Sequence, residues 1–240
     1  MTTRRTRLLA PLVLATALLA AGCGGTDGDA TPAATSAATS SAAGTSTEPA
    51  PAEAEASAAA ALDPAAVTSA QEAALATALR VVDLPEGWSV QANPVPDGDL
   101  SDNPSFQGLC DADFPSEGRR TAKFPVVGVD PAGTSLLTSE ALAYDAPEAA
   151  AQALVELRAA FAGCEGPDRT FVTPPSAEGL ATDSVVVQYQ LTTGTDQVIV
   201  AQARGSVVSV VIGDDPAATL AAAQSIATRV AALPAAVIGA

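Results

Sequence analysis

Histidine is absent from the 240 residues, and lysine occurs once, at Lys123. The first absence removes the commonest general base and the commonest metal ligand together. Ser-His-Asp, Cys-His and most zinc-site chemistries are therefore excluded. The second leaves a single residue for any lysine-based mechanism. Basic residues number 11 against 27 acidic ones, a net charge of −16. Nucleic acid rewards clustered Lys and Arg, so a nucleic-acid partner is excluded as well. The apolar run 8–22 has only 15 residues, short of the roughly 20 that cross a bilayer core. A permanent transmembrane helix is not expected from it.

What is there begins at the N-terminus. Residues 1–7 carry Arg4, Arg5 and Arg7 and no acid, an apolar run follows, and small residues lead into a cysteine. That order is the charged, apolar and cleavage-site sequence of an export signal. The stretch Leu19-Ala20-Ala21-Gly22-Cys23 resembles the bacterial lipobox, at which Cys23 would be lipidated on sulfur and become the new N-terminus. It departs from the commonest pattern in having Ala20, not leucine, three positions before the cysteine. An ordinary cleaved signal with an incidental Cys23 is the alternative. Acyl chains contribute on the order of 0.8 kcal/mol per buried methylene and, in pairs, hold a protein stably on a membrane, a job the thiol otherwise lacks. Thr3-Arg4-Arg5 also resembles the start of a twin-arginine signal, with Arg7 standing where an apolar residue is expected. Without residues 1–22 the chain holds 8 basic and 27 acidic residues, a net charge of −19.

If Cys23 is acylated, Cys110 and Cys164 remain as a pair, which in an exported chain reads as one disulfide. It would close a loop of about 55 residues, for which chain entropy gives roughly 4 kcal/mol. Two free buried thiols are the alternative. Residues 23–61 form a tether: beyond the cysteine they are almost wholly Ala, Thr, Ser, Pro, Gly and acid, with no aromatic or large aliphatic side chain. Nothing in them offsets the entropy of ordering the backbone, and a coil of that length spans on the order of 35 Å.

From residue 62 the pattern becomes that of a folded domain, 62–240. Asp63-Pro64 reads as a helix start, Leu75, Leu79 and Val82 recur at helical spacing, and Pro85-Glu86-Gly87 stops the run. Trp88, Val90 and Ala92 alternate as a short strand, and residues 93–115, rich in Pro, Gly, Asp and Asn, read as loop. Strands at 124–129 and 136–144 flank the turn Asp130-Pro131-Ala132-Gly133. Asp145 and Glu148 have capping-box spacing for a helix with the stripe Ala150, Leu154, Leu157 and Phe161, ending at Gly163. After a short strand at 170–172, Val185, Val187, Tyr189 and Leu191 open a three-stranded antiparallel meander through 197–203 and 206–212. Asp215-Pro216 starts a last helix with Leu220, Ala223, Ile226, Val230 and Leu233 facing one way. These elements predict an α+β domain, an antiparallel β-sheet with helices packed on one face, preceded by a disordered linker.

Val81-Val82-Asp83-Leu84-Pro85-Glu86-Gly87-Trp88, Cys110, Tyr144-Asp145-Ala146-Pro147-Glu148-Ala149-Ala150, Phe161-Ala162-Gly163-Cys164 and the strand 207–212 before an alanine-rich helix together resemble the PknH-like sensor domain, found outside actinobacterial cells on receptor kinases or lipoproteins. The resemblance spans about 62–233. It implies an antiparallel sheet with helices on one face, a broad cleft and a small-ligand sensing role. The kinase domain's pattern has two cysteine pairs where this chain has one, which bears on any cleft shape that depends on the second bridge.

Four residues are candidates for ligand contact. Trp88, the only tryptophan, could line a cleft, although core packing is the commoner fate of a single Trp. Arg119, Arg120 and Lys123 form the one local basic cluster and could meet an anion, with salt bridges to nearby acids as the plain alternative. Asp97, Asp99, Ser101 and Asp102 have some oxygen density of a calcium loop, but lack its glycine and have Gly108 where its closing glutamate would stand. They read as a solvated acidic loop. No metal, cofactor or catalytic residue is expected. The expected function is a membrane-anchored extracytoplasmic lipoprotein, attached through Cys23, whose non-enzymatic domain binds a small molecule or an envelope protein. The alternatives are a cell-envelope hydrolase using paired carboxylates, and an assembly factor or lipid carrier, which requires an apolar cavity of at least about 300 Å³.

Overall fold

A computed structural model describes residues 62–92, 102–106, 109–164 and 166–240. The expected signal segment 1–22, Cys23 and the tether 23–61 lie outside the described residues, as do Asp97, Asp99 and Ser101. Seven strands form one sheet: β1 (Ser89–Ala92), β2 (Arg120–Val129), β3 (Ser135–Tyr144), β4 (Arg169–Val172), β5 (Asp183–Leu191), β6 (Asp196–Arg204) and β7 (Val207–Gly213). Their order is β1-β2-β3-β7-β6-β5-β4, and every neighbouring pair is antiparallel. The α+β class and the meander stand as the alternation and turn residues indicate. Asp130 closes the β2–β3 turn by accepting from the Ala132 and Thr134 amides at 2.9 and 2.7 Å.

The helices are α1 (Ala70–Ala76), α2 (Pro147–Ala162), α3 (Pro216–Ala232) and α4 (Ala235–Ile238). They do not share one face of the sheet. Leu142, Val208, Ile199 and Ala201 pack with Leu154 and Leu157 of α2. Their strand neighbours Ala141, Val211, Val198 and Val200 pack with Ala223, Ile226 and Val230 of α3. Successive residues of a strand point to opposite faces, so α2 covers one face while α3 covers the other. Small α1 joins α3 there, its Ala73, Ala74 and Ala76 packing with Ala143 and Val207. The expectation of helices on a single face is corrected. The physical reason lies in β6 and β7, whose near-continuous apolar runs are buried on both sides, the pattern of a sheet covered twice.

Two local expectations also change. The periodicity of Leu75, Leu79 and Val82 does not extend one helix: α1 ends at Ala76, Arg80 is extended (φ −122°, ψ 157°), and residues 81–83 form a 3-10 turn that leaves Val82 82% exposed. The pull comes from Asp83, whose carboxylate accepts from the Arg80 amide at 2.8 Å and from both terminal nitrogens of Arg229 on α3 at 2.6 and 2.7 Å. Asp145 does not cap α2. Ala146 is its N-cap with no side-chain bond, Pro147 opens the helix, and Asp145 pairs with Arg119. Asp215, by contrast, caps α3 by accepting from the Ala217 and Ala218 amides.

The β6–β7 turn holds a glycine for a definite reason. Gly205 has φ +56°, and a Cβ there would run into the carbonyl oxygen of Ile238. That carbonyl accepts from the Ser206 amide at 2.8 Å, latching α4 onto the sheet. Gly205→Ala is expected to destabilise by more than about 1 kcal/mol, a fall in Tm of roughly 2–4 °C or more for a domain of this size. Thermal unfolding followed by circular dichroism measures it, and an unchanged Tm would show that the latch is not formed.

Candidate functional site

The α2 face is incompletely covered by its helix. α2 leaves the end of β3 and crosses toward β4, where Phe161 meets Phe171 edge-on at 6.4 Å between centroids. The far half of β3, β7 and β6 is left to residues 102–106 and 109–114. Register sets the floor: Thr138 stands opposite Ile212 and Ile212 opposite Ile199, while in the next inward row Glu140 stands opposite Val210. Leu157 of α2 forms one wall, and Phe106 and Leu109 form the roof. Between them lies a cavity of about 330 Å³, within the range of small-molecule sites.

The roof is fastened at two places. At one, Arg120 donates to the Ser105 hydroxyl at 2.7 Å and to the Asn103 carbonyl at 2.9 Å, and Lys123 donates to the same carbonyl at 3.2 Å. At the other, Cys110 and Cys164 form a disulfide, with Cα atoms 5.0 Å apart, which joins the roof to the end of α2. Cys110 and Asp111 both have φ 53°, a left-handed conformation that costs non-glycine residues roughly 1–2 kcal/mol each. The bridge and the Phe106–Phe114 contact, 5.4 Å between centroids, hold the segment in that shape.

Each member of the basic cluster meets a carboxylate. Lys123 lies 2.9 Å from Glu140 with its side chain 3% exposed, Arg120 lies 3.4 Å from Glu117, and Arg119 lies 2.9 Å from Asp145 at the surface. An anion arriving here would have to compete with these partners. Lys123 and Arg120 converge on the cavity's roof, whereas Arg119 lies beside the start of α2. Trp88 is half-buried and packs with the α3-face cluster, so it sits across the sheet from Lys123. Asp102, the one residue of the acidic loop that is described, is exposed. Among the described residues no group of carboxylates and thiols could hold a metal ion, and no helix is long and apolar enough to cross a membrane.

Glu140, the one carboxylate among the described residues that line the cavity, is not among those that sequence reasoning singled out. The signal existed: in β3 it occupies the same parity as buried Leu142 and Tyr144, and an ionised side chain on an inward position demands a partner. A second polar group was also passed over. Glu156 of α2 accepts from the Ser116 amide and hydroxyl at 3.2 and 2.6 Å and from Gln152 at 2.6 Å, beside buried Tyr144. Burial, reinforced by the Glu117 carboxylate, raises the Tyr144 phenol well above its ordinary 10.0. The phenol is neutral in both states below pH 10, and above it the unfolded chain ionises first, so stability falls as pH rises through the alkaline range. Tyr144→Phe is expected to flatten that fall without removing it, since burial raises Tyr189 too. Urea midpoints between pH 8 and pH 11 measure this, and parallel curves for the two proteins would contradict it.

A larger groove of about 920 Å³ lies at the Gly205 end of the sheet, lined by small residues such as Ala151, Ala203 and Ala227. Its charged residues are engaged elsewhere: Arg204 donates to the Val230 carbonyl at 3.1 Å, and Asp183 pairs with Arg158 at 2.5 Å.

No family model matches the chain, and no curated protein matches it. Among solved structures it is similar to the crystal structure of the extracellular domain of PknH from Mycobacterium tuberculosis, at 12% sequence identity and a TM-score of 0.37, over 59% of this chain and 75% of that one. A likeness at that level transfers no residue role.

Proposed function

We propose that this is a non-enzymatic binding domain, held at the outer side of the cytoplasmic membrane through lipidated Cys23 and the tether 23–61, whose ligand is a small molecule. The observation that carries the reading is the cavity of about 330 Å³ between Ser105, Phe106 and Leu109 and the sheet, apolar on most walls with one carboxylate at its edge. That is the ordinary composition of a small-molecule site: an apolar body contact with few polar groups to orient. The disulfide supports an oxidising compartment. Lys123 and Arg120 act in this reading as positioning residues, one holding Glu140 and both holding the roof. Paired-carboxylate hydrolysis gains nothing from the geometry, because Glu117 and Glu156 are each bound into the fold by Arg120 and by Ser116 and Gln152.

The cavity's size also satisfies the carrier reading, in which the same site ferries an apolar molecule. Native mass spectrometry of the full-length protein taken from its own membranes tests the proposal. Diacylated or triacylated Cys23, an intact bridge and a retained small molecule are expected. An unmodified Cys23 with no ligand mass would overturn it. Transfer of that molecule to acceptor vesicles would assign the protein as a carrier instead.

A further inference from the structure

The binding reading leaves open what kind of molecule the cavity accepts, and the charges at its wall restrict the answer. Lys123 is almost fully buried and lies 2.9 Å from Oε1 of Glu140. Its remaining contact is the Asn103 carbonyl at 3.2 Å. Oε1 thus faces the ammonium, and no other described residue donates a hydrogen bond to Glu140, so the carboxylate keeps acceptor capacity at the cavity. The Glu140 side chain is 20% exposed, on the cavity's edge. The pair is neutral as a unit, and Arg120 is likewise balanced by Glu117 at 3.4 Å. A cationic or anionic ligand would therefore add uncompensated charge beside apolar walls, which is costly. A neutral molecule without a donor would leave the acceptor capacity of this carboxylate unused, since a carboxylate accepts and never donates.

We infer that the cavity binds a compact, uncharged alcohol or phenol, its apolar body among Ile199, Ile212, Val210 and Leu157 and its hydroxyl donated to the Glu140 carboxylate. This rests on the binding reading and deepens it. The Ser105 hydroxyl accepts from Arg120 at 2.7 Å, which leaves its own proton free for the ligand oxygen's lone pair. Donor and acceptor on one ligand atom are what a hydroxyl has and an ether, amine cation or carboxylate lacks.

Four probes with one apolar body separate the cases: 4-ethylphenol, its methyl ether 4-ethylanisole, 4-ethylbenzoate and 4-ethylbenzylammonium, each titrated calorimetrically into the full-length protein in detergent. The phenol is expected to bind roughly tenfold or more tightly than the ether, in line with a hydrogen bond to a charged acceptor, and more tightly than either ion. In Glu140→Gln the Lys123 ammonium keeps the amide oxygen, so the free position becomes an N–H donor. The preference is expected to fall at least tenfold and turn toward the ether. A merely structural role for Glu140 would weaken both probes alike. Because that variant leaves Lys123 buried without its carboxylate, a Glu140→Gln/Lys123→Met double variant serves as the folded control, with the phenol's advantage expected to vanish. Equal binding of phenol and ether to the unaltered protein would overturn the hydroxyl assignment while leaving a binding cavity, and tighter binding of either ion would do the same. Binding of none of the four, with Ile212→Phe also silent toward the retained native molecule, would overturn the cavity reading itself.

Discussion

Replacing Asp83 by asparagine is expected to lower the unfolding free energy by about 3–5 kcal/mol, the cost of leaving one partner of a buried ion pair alone. Typical stabilities are about 5–15 kcal/mol, so this is at least about a fifth of the total. The Asp83 side chain is 1% exposed and that of Arg229 12%, and the two meet through both terminal guanidinium nitrogens. The pair does more than join two charges. It ties the 81–83 turn, before β1, to α3 near the chain's other end, and Arg229 also donates to the Ala78 carbonyl at 3.1 Å. Removing Arg229 alone, as Arg229→Met, should cost a similar amount, because among the described residues Asp83 then keeps one hydrogen-bond donor, the Arg80 amide. The double variant should recover part of the loss, since no unpaired charge remains. Urea denaturation of the four proteins gives the coupling energy. A coupling under about 1 kcal/mol would place the pair among exposed ones.

Removing the Cys110–Cys164 bridge is the second large perturbation. The cysteines are 54 residues apart in sequence, for which restriction of the unfolded chain gives roughly 4 kcal/mol, or about 8–16 °C in Tm for a domain of this size. The loss should also be local. Cys110 and Asp111, freed of the bond, can leave their left-handed conformation, and the roof residues Phe106 and Leu109 lose one of their two fastenings. Cys110→Ala/Cys164→Ala is therefore expected to lower Tm and, at a temperature where the domain stays folded, to weaken ligand binding. A lowered Tm with ligand affinity unchanged would show that the bridge stabilises the fold without shaping the cavity.

The strands and their turns were legible because their signals are local. Val185 and Tyr189 face inward, Asp130 and Gly133 mark one turn and Gly194 another, and Asp215-Pro216 is a cap read within four residues. The placement of helices on both faces was legible too, in the unbroken apolar runs of β6 and β7, but alternation in β5 drew the reading toward a half-exposed sheet. Helix spacing in 75–82 misled for a different reason: Asp83 has a partner 146 residues away, and no window of local periodicity contains it. The same holds for the site. The basic cluster at 119–123 is visible in one line of sequence, whereas the carboxylates that neutralise it come from Glu117, Glu140 and Asp145, two of them brought near only by strand pairing. Trp88 drew notice by its rarity and its place at a strand start, with core packing as its commoner fate, and it packs with the α3-face cluster alongside Val90 and Ala92.

The chain carries its own reporter for the central claim. Of its four isoleucines, Ile199 and Ile212 line the cavity, while Ile226 and Ile238 are fully buried on the opposite face. Methyl-labelled isoleucine spectra recorded while 4-ethylphenol is added should show the Ile199 and Ile212 signals moving together with saturation, and Ile226 and Ile238 staying in place. Shifts confined to Ile226 and Ile238, or no saturable shift at any of the four, would contradict the account.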